Sequence, residues 1–383
     1  MRHLRRTREP DEDHLTYSFA GWKSGLQIDT LMLLVVNFSF IQMNKAGRIN
    51  AVFPQYAIPG GQLAVECDGF DVDHDKGFGC YIGGERCRLV AASSKRILAI
   101  VPDGVATENT QIHLESGGEQ SEAVPITIGR RLAEDMHIVA NPAIDPNDDS
   151  IIVTRSGSRG QELEVTLFRI EPDGYVDELP VRIMNPTGLA FDPGGQLFVT
   201  NRNDGVVCRV ERGEDAIEFA TGLGIATGIA FDREGIMYVG DRSGTIYRVP
   251  EFGHIETFAV LEASVSAYHL AFGPDGRLFV TAPGLASHDS VYAIDEEGIV
   301  EKWCRGFGRP QGLAFDSDGY LYVVGCYKGR HGIVRIDADG ENAETVVAGT
   351  AVVGLAFTRK GEMIVSTNGV VYSLPMGVSG SLL

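Results

Sequence analysis

The chain has 383 residues and a formal net charge of −19, with 22% charged and 44% hydrophobic residues. That length exceeds what one core commonly fills, so two domains are expected in an otherwise ordinary globular composition. The acidic balance argues against nucleic acid as a partner, because phosphate neutralisation needs a basic surface, and it disfavours anionic membranes.

Residues 1–48 are predicted to be a poorly ordered N-terminal extension. Its start is densely charged, and Leu31 to Met43 form one apolar run, LMLLVVNFSFIQM. The run is too short to span a bilayer. It also lies too far from the basic MRHLRR start, without a small-residue cleavage site, to serve as a signal peptide, which leaves Met43 as a candidate true start. The six cysteines, Cys67, Cys80, Cys87, Cys208, Cys304 and Cys326, include no CxxC pair and no His at zinc-ligand spacing. Scattered buried thiols in a reducing compartment are expected, with one disulfide among the first three as the alternative. A cytoplasmic protein follows, with export left open.

Residues 49–129 contain short alternating apolar runs separated by turn signals, as in INAVFPQYAIPGGQLAVECDGFD and CYIGGERCRLVAASSKRILAIVPDG. That pattern predicts a small β-sandwich. Pro59-Gly60-Gly61 before a strand, Gly69 after it, Gly83-Gly84 in a hairpin, Ser93-Ser94, and Val101-Pro102-Asp103-Gly104 together resemble an IPT/TIG domain, an immunoglobulin-like fold. The resemblance implies a spacer or interaction module. Asp71, Asp73 and Asp75 imitate the start of a calcium loop, but the glycine falls one place late, at Gly77, and Ile82 replaces the closing Glu. Residues 130–137 are predicted to be a linker.

From 138 to 376 the chain repeats itself. TGLAFDPGGQLFVTN from Thr187 is followed by TGIAFDREGIMYVGD from Thr227, YHLAFGPDGRLFVTA from Tyr268, QGLAFDSDGYLYVVG from Gln311 and VGLAFTRKGEMIVST from Val353. A degenerate copy, ANPAIDPNDDSIIVTR, precedes them from Ala140. The glycine position of the motif recurs at 141, 188, 228, 269, 312 and 354. Spacings near 42 residues predict one four-stranded blade per copy. The fold expected is therefore all-β: the small sandwich followed by a six-bladed β-propeller. The last copy stops after its third strand, so residues before Ala140 are expected to supply the outer strand and close the ring. Residues 377–383 are left as a tail.

The pattern P-T-G-L-A-F-D-P-G-G-x-L-F-V-T-N resembles NHL repeats, and the layout is similar to the SMP-30/gluconolactonase group. Lactonases of that group carry Glu, Asn and Asp before the motif glycine as ligands of a divalent cation, calcium or zinc. Here the matching residues are Ala140, Tyr268 and Gln311, and the other three positions hold Thr187, Thr227 and Val353. No carboxylate occupies that ring, so no cofactor is predicted unless an acidic loop reaches the pore.

Asn141 and His269 sit one place later and are candidates to face the channel. The bland alternatives are that Asn141 caps a turn and His269 makes a buried hydrogen bond. The loops after each second strand carry cations on the same face: Arg155 and Arg159, Arg202, Arg242, His288, and Lys328, Arg330 and His331. A basic rim suits an anionic small molecule or an acidic protein segment, unless the arginines pair with nearby acids such as Asp204 and Asp241. The resulting expectation is a non-catalytic ligand- or protein-binding propeller using its top face. The alternative is a divergent SMP-30-like metal-dependent lactonase, and catalytic residues are not assigned.

Overall fold

The computed structural model describes residues 47–73, 77–107, 109–158, 161–211, 216–285 and 288–381. The N-terminal extension before Gly47, Asp75 of the calcium-like run and Arg159 of the rim lie outside the described residues. All regular structure that is described is β-strand.

Six four-stranded antiparallel units form the propeller, at 143–178, 186–220, 226–260, 269–308, 313–348 and 352–375. They are numbered here as blades 1 to 6. The innermost strands touch in the circular order 1–2–3–4–5–6–1, which closes the ring. Blade 6 supplies only three strands of its own, and Arg130–Ala133 pairs antiparallel with Val371–Pro375 as its fourth. Residues before Ala140 were expected to supply this strand, and the four that do fall within the span read as a linker; an unpaired strand edge would leave its backbone groups unsatisfied.

The repeat motif works at both ends of the first hairpin. Its Asp side chain accepts backbone N–H groups across the turn, as Asp192 does from Gln196 and Asp316 from Tyr320. The following glycine takes the left-handed conformation the turn requires, φ 79° at Gly195 and 88° at Gly319. The motif Phe does different work. Phe231, Phe272, Phe315 and Phe357 each pack on the second-strand aromatic of the preceding blade (Phe198, Tyr238, Phe279 and Tyr322), with ring centroids 4.9–5.1 Å apart. At the two joints flanking degenerate blade 1 the aromatic pair is broken by isoleucine. Ile152 clusters with Phe191, and Ile364 with Ile144.

Ahead of the propeller, two antiparallel sheets (48–100 and 79–125) enclose one cluster of buried side chains that includes Leu63, Val65, Ile97, Ile112 and Leu114. Tyr56–Ala57 runs parallel to Val347–Ala348 at the outer edge of blade 5, and Thr127–Ile128 runs parallel to Tyr56–Ala57. Ile58 donates its N–H to Ala348 O at 2.9 Å and packs into the blade 5–6 cluster. The sheet of blade 5 is thereby continued into the N-terminal segment, which ties the two regions by backbone hydrogen bonds as well as by side chains.

The six cysteines are free, and all but Cys326 are buried. Burial pushes the Cys67 and Cys208 thiols up to about 11, which keeps them protonated and inert.

The inter-blade aromatic joints dominate the packing, so Phe357→Ala is expected to cost about 3–5 kcal/mol and Ile152→Val only about 0.5–1.5 kcal/mol. Denaturant unfolding of the two variants checks the difference. Equal costs would show that the joints are not organised by the aromatic pairs.

Candidate functional site

The inner strands enclose a central channel of about 270 Å³. At one mouth lie the hairpin residues Pro146, Asp192 and Pro193, together with Gly380 and Ser381. Gly380 bridges to Asp316, and Ser381 donates its N–H to Phe315 O at 3.1 Å. Residues expected only as a tail thus lie at the bottom of the channel against blade 5. The opposite mouth is the face reached by the loops between second and third strands.

Several residues before the motif glycine are tied to a neighbouring blade by hydrogen bonds. Tyr268 donates its N–H to Thr227 Oγ1 at 3.0 Å, and that hydroxyl donates onward to Gly240 O at 3.2 Å. Thr187 bonds to Asn185 O at 3.4 Å. Tyr268 is fully buried with its phenol bonded to Glu262 O, and burial raises that phenol above its ordinary range. Thr200 reaches across to Thr227 O at 2.9 Å, and Thr281 makes the same kind of bond to Gln311 O. Hydrogen bonds at Thr227, Tyr268 and Gln311 O therefore join neighbouring blades, whereas the Thr187 hydroxyl is used locally.

The motif glycines are explained by the same approach. A Cβ on Gly188 would lie 2.3 Å from Thr227 O, and one on Gly354 would lie 2.6 Å from Ala140 O. At the two copies without glycine, the side chains line the channel. Asn141 spans from blade 1 to two other blades, donating to Leu313 O at 2.9 Å and accepting from Leu355 N at 3.2 Å. It caps no turn; it stitches inner strands together. His269 is only 3% exposed, and its Nε2 is buried without a partner among the described residues. The expected buried hydrogen bond is not made. Burial alone lowers its pKa from 6.5 to about 4, so the ring is a neutral imidazole whose Nε2 is buried and unpartnered.

The rim arginines are not paired as the adjacent acids suggest. Asp241 accepts Ile225 N at 2.8 Å, Ser243 N at 3.2 Å and the Ser243 hydroxyl. Asp204 accepts the amides of Asn201 and Asn203, each at 2.8 Å. Both acids are thus engaged in local turns. Arg202, half-buried on blade 2, is held below the usual guanidinium range by burial and by the neighbouring Arg242 charge. Arg242 donates Nη2 to Val265 O at 2.9 Å, while its Nε is buried and unpartnered. Neither arginine has an ion pair among the described residues.

The other rim cations stand apart. Arg155 and His331 are exposed, Arg330 is half-buried, and Lys328 lies over the Tyr327 ring at 4.9 Å. Gln311 turns away from the channel to line a second cavity of about 440 Å³ at the top of blade 5, with His331, Cys326 and Arg309. Arg309 was missed in the sequence. The available signal was its place in Gly308-Arg309-Pro310, where it adopts φ 51°. Among the described residues no three His, Cys, Asp or Glu gather as metal ligands. With Ala140, Tyr268 and Gln311 at the lactonase ligand positions, the residues present do not fit that metal centre.

No protein-family model matches this sequence, and a search of curated proteins finds no relative. Solved structures do share the architecture. A Bacteroides thetaiotaomicron protein of unknown function aligns over 86% of this chain and 98% of its own, with a TM-score of 0.51 and 13% identity. An auxiliary nutrient binding protein from Bacteroides ovatus aligns over 86% and 97%, with a TM-score of 0.50 and 13% identity. A gluconolactonase from Xanthomonas campestris aligns over 64% and 88%, with a TM-score of 0.51 and 16% identity. These likenesses define the chain as a β-propeller protein and show the fold alone. No helix among the described residues is long and apolar enough to cross a membrane.

The neutral His269 gives a pH test. Its folded pKa, about 4, is below the 6.5 of the exposed ring, so between those values the unfolded chain binds a proton that the folded chain does not. Stability at His269 is present above about pH 6.5 and is lost as the pH falls towards 4. His269→Gln should flatten this part of the unfolding-free-energy curve. An unchanged slope would place the ring in contact with water.

Proposed function

We propose that this is a non-catalytic binding protein whose propeller holds an anionic small molecule or an acidic protein segment on its top face. The observation that carries the reading is the Arg202–Arg242 pair. The Arg242 charge reaches Arg202, both side chains are partly buried, and the nearby acids are engaged in local turns. Guanidinium forks bind carboxylates and phosphates through paired hydrogen bonds, and such contacts strengthen where water is displaced.

Apolar surface adjoins the pair. Ile225, Val265 and Leu285 are 45%, 42% and 95% exposed. Arg242 bonds through its N–H to Ile225 O and through its guanidinium to Val265 O, so the first two flank it directly. A ligand with an apolar group next to its negative charge suits this surface.

The two sheets before the propeller fit an IPT/TIG-like immunoglobulin-type sandwich acting as a spacer or interaction module. The likeness to two Bacteroides proteins over 86% of the chain, more than the blades alone occupy, supports reading the two regions as one recurring arrangement. Free thiols fit a cytoplasmic location.

Binding is tested with a fluorescent peptide of alternating glutamate and leucine. The double variant Arg202→Glu/Arg242→Glu is expected to weaken it by about 100-fold, because two charge-assisted contacts are lost, and to leave the melting temperature nearly unchanged. A matched fall in melting temperature would mean that the arginines are structural. The competing assignment, a divergent metal-dependent lactonase, is tested by melting with calcium, zinc or EDTA. Coinciding midpoints are expected, whereas a large rise with an ion together with lactone turnover would overturn the binding reading.

A further inference from the structure

We propose that the cavity at the top of blade 5 is a second binding site, built for a compact carboxylate and independent of the Arg202–Arg242 pair. The cavity, about 440 Å³, lies between the chain entering blade 5, the hairpin joining its second and third strands, and the chain leaving it for blade 6. That volume is in the range of small-molecule sites.

Backbone register explains why a cavity exists there. Gly308, Cys326 and His331 are direct partners across neighbouring strands, Gly308 opposite Cys326 and Cys326 opposite His331. Side chains in such a row project from the same face of a sheet. The first member has none, and a Cβ on Gly308 would lie 3.3 Å from Cys326 Cβ, so the missing side chain opens the space beside the thiol. Gly325, Gly332 and Gly349 also line the cavity, so backbone forms much of its wall.

The polar side chains at this cavity are of one kind. Arg309, Gln311 and His331 bring a guanidinium, a carboxamide and an imidazole, all able to donate hydrogen bonds. None of these side chains has a hydrogen bond or ion pair to another described residue, and no Asp or Glu lines the cavity. In a chain of net charge −19 that composition selects for an anion. A carboxylate matches the planar fork of Arg309 and can still accept from Gln311 or His331.

The rim is also conformationally fixed. Arg309 and Ala351, on either side of the cavity, hold φ values of 51° and 55°, a region that residues with a Cβ rarely adopt and that gathers at binding sites.

Cys326 provides a reporter inside the site, because the other five cysteines are buried. Iodoacetate is a small carboxylate that alkylates a thiolate with loss of iodide, and iodoacetamide is its neutral counterpart. With the full-length protein, the iodoacetate rate at Cys326, read by peptide mass, is expected to saturate with reagent concentration while the iodoacetamide rate stays linear. Arg309→Gln should make the iodoacetate rate linear and about tenfold slower, the loss of one charge-assisted contact, without changing the iodoacetamide rate. His331→Gln should lower the iodoacetate rate in the same selective way without altering the backbone at Arg309. Linear iodoacetate kinetics in the unaltered protein, or equal slowing of both reagents by Arg309→Gln, would overturn the site. Arg202→Glu/Arg242→Glu should leave the saturation intact, so the two proposals stand or fall separately.

Discussion

The structure depends on the closeness with which each inner strand meets the next. No blade has a core of its own; the buried clusters are shared between neighbours, and the aromatic pairs at 4.9–5.1 Å are joints between blades. The approach is tight enough at the top of the channel that a neighbour's carbonyl sits where a Cβ would be, which is why the motif carries glycine there. A repeat protein of this kind gains stability only when each unit is covered. The last blade therefore takes its outer strand from Arg130–Ala133, and the ring is held shut by backbone pairing across the ends of the propeller sequence.

That closeness decides which polar groups are free to bind anything. Tyr268 donates its N–H to the Thr227 hydroxyl of the preceding blade, and Thr227 O accepts from Thr200 of the blade before, while Thr187 bonds locally to Asn185 O. The two copies that depart from glycine are the exceptions. Asn141 uses both ends of its amide to join blades 1, 5 and 6, and His269 keeps Nε2 buried without a partner among the described residues. An unsatisfied buried nitrogen costs stability that an apolar residue at the same place would not.

The propeller was legible in the sequence because its signal is distributed: a period near 42 residues, the Asp and Gly of each turn and the Phe of each joint all repeat. The state of individual side chains was not legible, for a physical reason. Asp204 and Asp241 lie within two residues of Arg202 and Arg242, and adjacency suggested pairing, but short carboxylates in turns are captured by local N–H and amide donors first. The blade 5 cavity was hidden differently. Gln311 and His331 were singled out, yet Arg309 joins them only because blade 4 ends with a left-handed residue, and nothing in the repeat encodes that turn.

Charge distribution gives the last step. With 52 acidic against 33 basic residues, the chain has ample means to neutralise its arginines, and it does so at several blades. Arg169 meets Asp145, Asp148 and Glu171, Arg335 meets Glu344, and Arg359 meets Asp149. Arg202 and Arg242, on blades 2 and 3, have no ion pair among the described residues, and the charge of Arg242 acts on Arg202. Their mutual repulsion opposes the folded state, and an anion would relieve it. Residues that oppose folding and complement a ligand are the usual signature of a surface shaped by binding. Under the proposed binding function the ligand sits on the top face, beside exposed Ile225 and Val265, whereas Gly380 and Ser381 lie at the bottom mouth against blade 5.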